Sequence, residues 1–199
     1  AEKGGYPHFM LKEIHEQPRA VKDTLNSVLK DGKFDLTDIG LAEEDIRRTS
    51  QIYIVACGSA YHVGMVAQYV IEDLVKIPVR VELASEFRYR KPILDPNGLV
   101  IIISQSGETA DSLAALRETK AQGIRTLGIV NVVGSSIARE ADKVFYTLAG
   151  PEISVATTKA YSTQLMASYI LAIEFAKVKN TITEEQYENY IAELQAIPE

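Results

Sequence analysis

The residues most suited to chemistry in this sequence are six consecutive ones, Ser104-Gln-Ser-Gly-Glu-Thr109. They follow an apolar run and precede a helical pattern. Such a place leaves backbone N–H groups free at a helix N-terminus, where the helix dipole favours an anion. Gly107 lets the backbone bend closely around a ligand. Ser104, Ser106 and Thr109 add neutral hydroxyl donors, and Gln105 adds an amide. Hydrogen bonds to a charged group are worth about 1.5–3 kcal/mol each, so such a turn can bind phosphate without Lys or Arg. Glu108 would repel that anion, and its side chain is expected to face away. The plainer reading is that Ser106 or Thr109 only caps the helix; three hydroxyls and a glycine within six residues favour the phosphate.

Two further loops supply similar groups. Cys57-Gly-Ser-Ala60 offers main-chain amides and the hydroxyl of Ser59. It lacks the GxGxxG glycines of a dinucleotide site, which leaves Glu82 a poor candidate for a ribose-binding acid, and no GxxxxGK[ST] is present. Cys57 reads as a small buried core residue rather than a nucleophile, since no His and acid are visibly poised beside it. Val155-Ala-Thr-Thr-Lys-Ala160 taken alone reads as a Thr cap followed by a solvated Lys159. At the rim of the same sheet, its hydroxyls can reach a sugar.

The bulk numbers narrow the field. The 199 residues suit one compact domain, and 46% hydrophobic with 24% charged residues is ordinary globular composition. A formal charge of −6 without a basic stripe argues against nucleic acid and means that local dipoles must attract any anion. One cysteine permits no internal disulfide, and the three histidines are too scattered for a recognisable zinc pattern, so no metal is expected. No apolar stretch long enough to span a bilayer and no signal peptide is present, so a soluble, reducing compartment, the cytoplasm, is expected and no membrane partner. Because the chain opens at Ala1, it is expected to be processed, trimmed or excised from something longer.

These loops need elements to position them. The first forty residues read as an N-terminal linker with peripheral helices: one over Met10 to Gln17, then one with Pro18 in its first turn, Val21, Leu25, Val28 and Leu29 on one face, and Gly32 as its C-cap. From residue 41 to 199 the pattern is that of an α/β domain. Strands are predicted at Ile52–Ala56, Val79–Leu83, Leu99–Ile103 (the central one), Ile124–Val130 and Val144–Leu148. Helices are predicted through Val63–Leu74, Ala110–Ala121 and Ser136–Ala141, with a turn through Ala84–Tyr89. Two helices close the chain: one with Leu165, Met166, Tyr169, Ile170 and Ile173 inward, one opened by a Thr183/Gln186 capping box with Tyr187, Tyr190, Ile191 and Leu194 inward. Alternation of this kind predicts a three-layer, doubly wound sandwich around a mostly parallel five-stranded sheet, with its ligand at the carboxyl ends of the strands.

The three loops, in this order and spacing, resemble the sugar isomerase (SIS) fold, and more closely the first SIS lobe of the glucosamine-6-phosphate synthase family. His8 to Pro18 resembles that family's junction between glutaminase and isomerase domains. Ala84-Ser-Glu-Phe-Arg-Tyr-Arg90, Ser104 to Asp111, Gly134-Ser-Ser136 and Val155 to Ala160 agree as well. The resemblance implies that Ser104, Gln105, Ser106 and Thr109 hold the phosphate of a hexose 6-phosphate, while Ser59, Ala60, Val155, Ala156 and Thr157 contact the sugar. It implies no cofactor, a homodimer, and synthesis of glucosamine 6-phosphate from fructose 6-phosphate and ammonia. It also implies that the catalytic residues belong to a second SIS lobe, and that this lobe and the glutaminase domain lie outside this chain, so none is assigned here. The competing reading is a stand-alone SIS module that senses sugar phosphates.

Overall fold

The computed structural model describes residues 1–199. Two short helices open it, α1 (Phe9–His15) and α2 (Gln17–Asn26), followed by the strands β1 (Leu29–Lys30) and β2 (Lys33–Phe34), a 3-10 turn and α3 (Glu43–Arg48). Then β3 (Gln51–Ala56), α4 (Ser59–Val75), β4 (Val79–Leu83), α5 (Ala84–Arg90), β5 (Gly98–Ser104), α6 (Ala110–Ala121), β6 (Arg125–Val130), α7 (Ser136–Glu140) and β7 (Lys143–Tyr146) alternate. The helices α8 (Lys159–Val178) and α9 (Glu184–Ala196) close the chain.

The strands β3 to β7 form one all-parallel sheet in the order β4-β3-β5-β6-β7. Its register sets Ile54 between Val81 and Ile101, and Ile101 beside Leu127. Because side chains alternate across a strand, each strand feeds two cores. Ile52, Ile54, Leu99, Ile101, Ile103, Leu127 and Ile129 face α4 and α8. Tyr53, Val55, Val100, Ile102 and Val130 face the other layer, where Phe87 of α5, Leu116 of α6 and Ile137 of α7 pack. Burial on both faces is why the inner strands β3 and β5 read as unbroken apolar runs, while the edge strand β4, Val-Arg-Val-Glu-Leu, is fully buried only at Val79.

Of the 20 residues in α8, 14 are buried, which makes it the central helix of its layer. Met166, Ile170 and Ile173 are buried as the spacing predicts, whereas Leu165 and Tyr169 are only half-buried. The first forty residues join the same core: Val21, Leu25, Val28 and Phe34 belong to one cluster with β3 and β5.

Several local expectations change. Gly32 is no helix cap, because α2 stops at Asn26 and β1 and β2 pair as a hairpin across Asp31-Gly32. Asp31 and Gly32 take φ of +52° and +74°, the left-handed pair that a tight two-residue hairpin turn requires. Ala84–Arg90 is a helix rather than a turn, buried through Ala84 and Phe87. The last strand ends at Tyr146, short of Leu148, since side chains claim the amides beyond it: Leu148 donates to Thr24 Oγ1 at 3.1 Å and Ala149 to Asn131 Oδ1 at 3.0 Å.

Candidate functional site

The strand order turns back between β3 and β5. In open parallel sheets this is where the loops splay apart and leave a crevice beyond the carboxyl ends. A cleft of ≈ 290 Å³ lies there. Its walls include Ser59 and Ala60 after β3, Ser104, Gln105, Ser106 and Thr109 after β5, and Val155 and Thr157 before α8. Of the sequence-nominated residues only Ala156 is not a wall; it is exposed beside the rim. A larger cavity of ≈ 740 Å³ is lined mostly by apolar side chains of α4, α8 and α9, and none of the three loops reaches it.

The Gln105 turn is built from its own side chains. Ser104 Oγ is buried, accepts the Gly107 N–H at 3.1 Å and stands 3.1 Å from Thr109 Oγ1. Ser106 Oγ accepts the Glu108 N–H at 3.2 Å. Gln105 C=O takes the Asn131 N–H at 3.1 Å, tying the turn to the neighbouring β6 loop. The amides of Ser106 and Thr109 donate to no protein acceptor. Capping does not explain these residues, because no side chain caps α6.

Gly107 has φ of +68°, and a Cβ there would stand 2.6 Å from Ser135 Cβ and closer still to its Oγ. The position therefore requires glycine twice, for its dihedral angle and for its neighbour. Glu108 does turn away: its carboxylate accepts the Ser136 N–H at 2.7 Å and the Ser136 hydroxyl at 2.6 Å. Those bonds, the hydroxyl's first, hold its pKa below the usual carboxylate value.

α4 begins at Ser59 with Gly58 before it and no side-chain cap; the Tyr61 N–H returns to the Gly58 C=O at 3.1 Å, while the Ser59 and Ala60 amides, on the cleft wall, donate to no protein acceptor. α8 differs. Glu152 Oε2 takes the Ala160 N–H at 2.8 Å and the Thr158 N–H at 3.3 Å, and so neutralises that terminus with a carboxylate of the chain's own. Thr158 is thus no cap. Lys159 is not solvated either: it is 1% exposed, with its Nζ 2.9 Å from Glu16 Oε2.

The cleft combines unlike groups. Two helix N-termini without side-chain caps and neutral hydroxyls suit an oxyanion. Glu152, also a wall, repels an anion and can accept from hydroxyls. Glu152, Ser154 and Gln164 are walls that sequence reasoning missed. Gln164 lies inside α8, where its spacing marks only helix, and Glu152 lies in a stretch of no regular pattern. Cys57 also lines the cleft, half-buried, with its Sγ 3.9 Å from Ser112 Oγ.

Comparison with known proteins gives the same frame. The SIS domain profile matches residues 45–174. A glutamine–fructose-6-phosphate aminotransferase (isomerizing) of Clostridium tetani is 58% identical over 200 residues, with all of this chain and 33% of that protein covered. Its counterpart in Mycolicibacterium paratuberculosis is 50% identical, with all of this chain and 32% of that protein covered. The chain thus spans about a third of the length of the curated relatives it matches. The C-terminal domain of the glucosamine-fructose-6-phosphate aminotransferase of Francisella tularensis superposes with a TM-score of 0.96 at 48% identity, covering all of this chain and 56% of that one. The sugar isomerase domain of an RpiR transcription factor from Sphaerobacter thermophilus shares the fold at a TM-score of 0.67 and 18% identity, over 94% of this chain and 97% of that one. With its doubly wound sheet, its matched profile and these relatives, the chain belongs to the SIS domain family and corresponds to part of the isomerase region of the glutamine–fructose-6-phosphate aminotransferases.

Proposed function

We propose that this chain is the sugar-phosphate-binding lobe of the isomerase half of a glucosamine-6-phosphate synthase, and that its cleft takes a hexose 6-phosphate. The observation that carries the reading is the pair of uncapped helix N-termini meeting neutral hydroxyls in a cleft that Glu152 also lines. In this reading the phosphoryl oxygens accept from the Ser106 and Thr109 amides and from the hydroxyls of Ser104, Ser106 and Thr109, with Gln105 closing the turn. The sugar lies toward Ser59, Ala60, Val155, Ala156 and Thr157. Its hydroxyls donate to Glu152, and this fixes which end of the substrate carries the phosphate.

Ring opening, imine formation and proton transfer between C1 and C2 require an acid–base group at those carbons. We assign that group to a second SIS lobe and the ammonia supply to a glutaminase domain, both outside this chain. The assembly would be a cytoplasmic homodimer that binds neither nucleic acid nor membrane. Calorimetric titration with fructose 6-phosphate, glucosamine 6-phosphate and NAD tests the reading. Binding of either hexose phosphate without NAD supports it, and NAD binding in their place overturns it. The isolated chain is expected to show no isomerisation or aminotransfer. Measured turnover would move catalysis into this lobe.

A further inference from the structure

The walls of the cleft are not anchored alike. β3 and β5 pass directly into their loops, so the sheet fixes Ser59 and the Gln105 turn. The wall that carries Ser154, Val155 and Thr157 belongs to a long connection between β7 and α8. The Asn131 side chain holds its start at Ala149 and Gly150, but the ties at Ile153 and Ser154 come from the opposite end of the sequence. Glu13 on α1 is 2% exposed, and its Oε1 accepts the Ile153 N–H at 2.6 Å and the Ser154 N–H at 3.3 Å. One turn further, Glu16 pairs with the buried ammonium of Lys159, the first residue of α8. Gln17 Oε1 then accepts from the Ser162 hydroxyl at 2.5 Å.

Burying a carboxylate or an ammonium costs desolvation, and for the Glu16–Lys159 pair an apolar pair of similar volume would stabilise the fold about as well. What a buried charged contact does supply is register, because only one placement satisfies it. Here the placement determined is that of a cleft wall.

We propose that Glu13 and Lys159 are positioning residues for the sugar side of the cleft, and that α1 is a strap holding Ile153–Thr157 opposite the Gln105 turn. The proposal rests on the sugar-phosphate reading of the cleft. Lifting α1 would release this wall and leave the phosphate turn intact.

Amide hydrogen exchange and ligand titration on the 199-residue chain test this with Glu13→Ala, Glu13→Gln and Lys159→Met. In Glu13→Ala, exchange at Ile153 and Ser154 should rise at least about tenfold, the factor lost with one charged hydrogen bond, while exchange at Gly107 stays unchanged. Fructose 6-phosphate should bind roughly tenfold more weakly, with inorganic phosphate changed less than about twofold. Glu13→Gln retains an acceptor and should recover part of both effects, and Lys159→Met should reproduce the loss. Unchanged exchange at Ile153 in Glu13→Ala overturns the strap, whatever the ligands do. Equal loss of affinity for fructose 6-phosphate and phosphate also overturns it, because the effect would then be general. A wild-type chain that binds neither ligand sinks the cleft reading, and the positioning role with it, even where exchange responds.

Discussion

Ser104 and Ser106 are two residues apart, yet their hydroxyls serve different ends. The Ser104 hydroxyl is buried and accepts the Gly107 amide, so Ser104→Ala leaves that amide unsatisfied and should cost about 1–3 kcal/mol of stability. Ser106 is half-buried on the cleft wall, and its hydroxyl accepts the amide of exposed Glu108, which water can satisfy instead, so Ser106→Ala should leave stability within about 0.5 kcal/mol. Its phosphate affinity should nevertheless fall roughly tenfold. Urea unfolding and phosphate titration of both variants separate the roles. Gly107 is stricter. Alanine there meets both an unfavourable left-handed φ, worth about 1–2 kcal/mol, and the Ser135 side chain. Gly107→Ala should destabilise the chain by about 2 kcal/mol or more and abolish measurable phosphate binding.

At the scale of elements, α8 holds the molecule together through a buried polar link. Glu174 on α8 accepts the Tyr187 hydroxyl of α9 at 2.9 Å, and the Tyr187 hydroxyl oxygen in turn accepts the Phe34 N–H of β2 at 2.8 Å. Burial pushes the Glu174 pKa above its ordinary value, against the lowering effects of Tyr187 and Lys177. The sign follows from linkage: a raised folded-state pKa adds stability that is complete below the ordinary carboxylate pKa and is lost as pH climbs through the raised one. Relative to Glu174→Gln, the wild-type chain should therefore lose stability as pH rises upward from the ordinary carboxylate range. Thermal unfolding of both proteins through that rise checks it, and parallel curves would exclude the link as a titrating element.

For the molecule as a whole, the formal charge of −6 opposes an anionic ligand, and no Lys or Arg lines the cleft. Attraction by amides and hydroxyls is short-ranged, while the net repulsion is screened by salt. Raising ionic strength from about 20 to 200 mM should therefore leave hexose-phosphate affinity within about twofold, or slightly improve it. A site built on Lys or Arg would weaken markedly. Isothermal titration at the two salt levels distinguishes the designs.

Apolar runs fixed by burial on both faces determined the inner strands, and the alternation of strand and helix around them set the layer order and the crevice at the reversal. Hydroxyls crowded around Gly107 after the most apolar run marked from sequence alone the turn that lines the cleft, because that chemistry is local. Lys159 and Glu152 were hidden for the opposite reason. A Lys after two threonines reads as solvated, and an acid after Gly150-Pro151 has no periodicity to place it. Their roles depend on partners supplied by the fold. For Lys159 that partner is Glu16, 143 residues away in sequence, and for Glu152 it is the free amides of a helix whose start is set by the packing of α8. Local propensity reaches about one turn along a chain; contacts across such separations come into being only when the core closes.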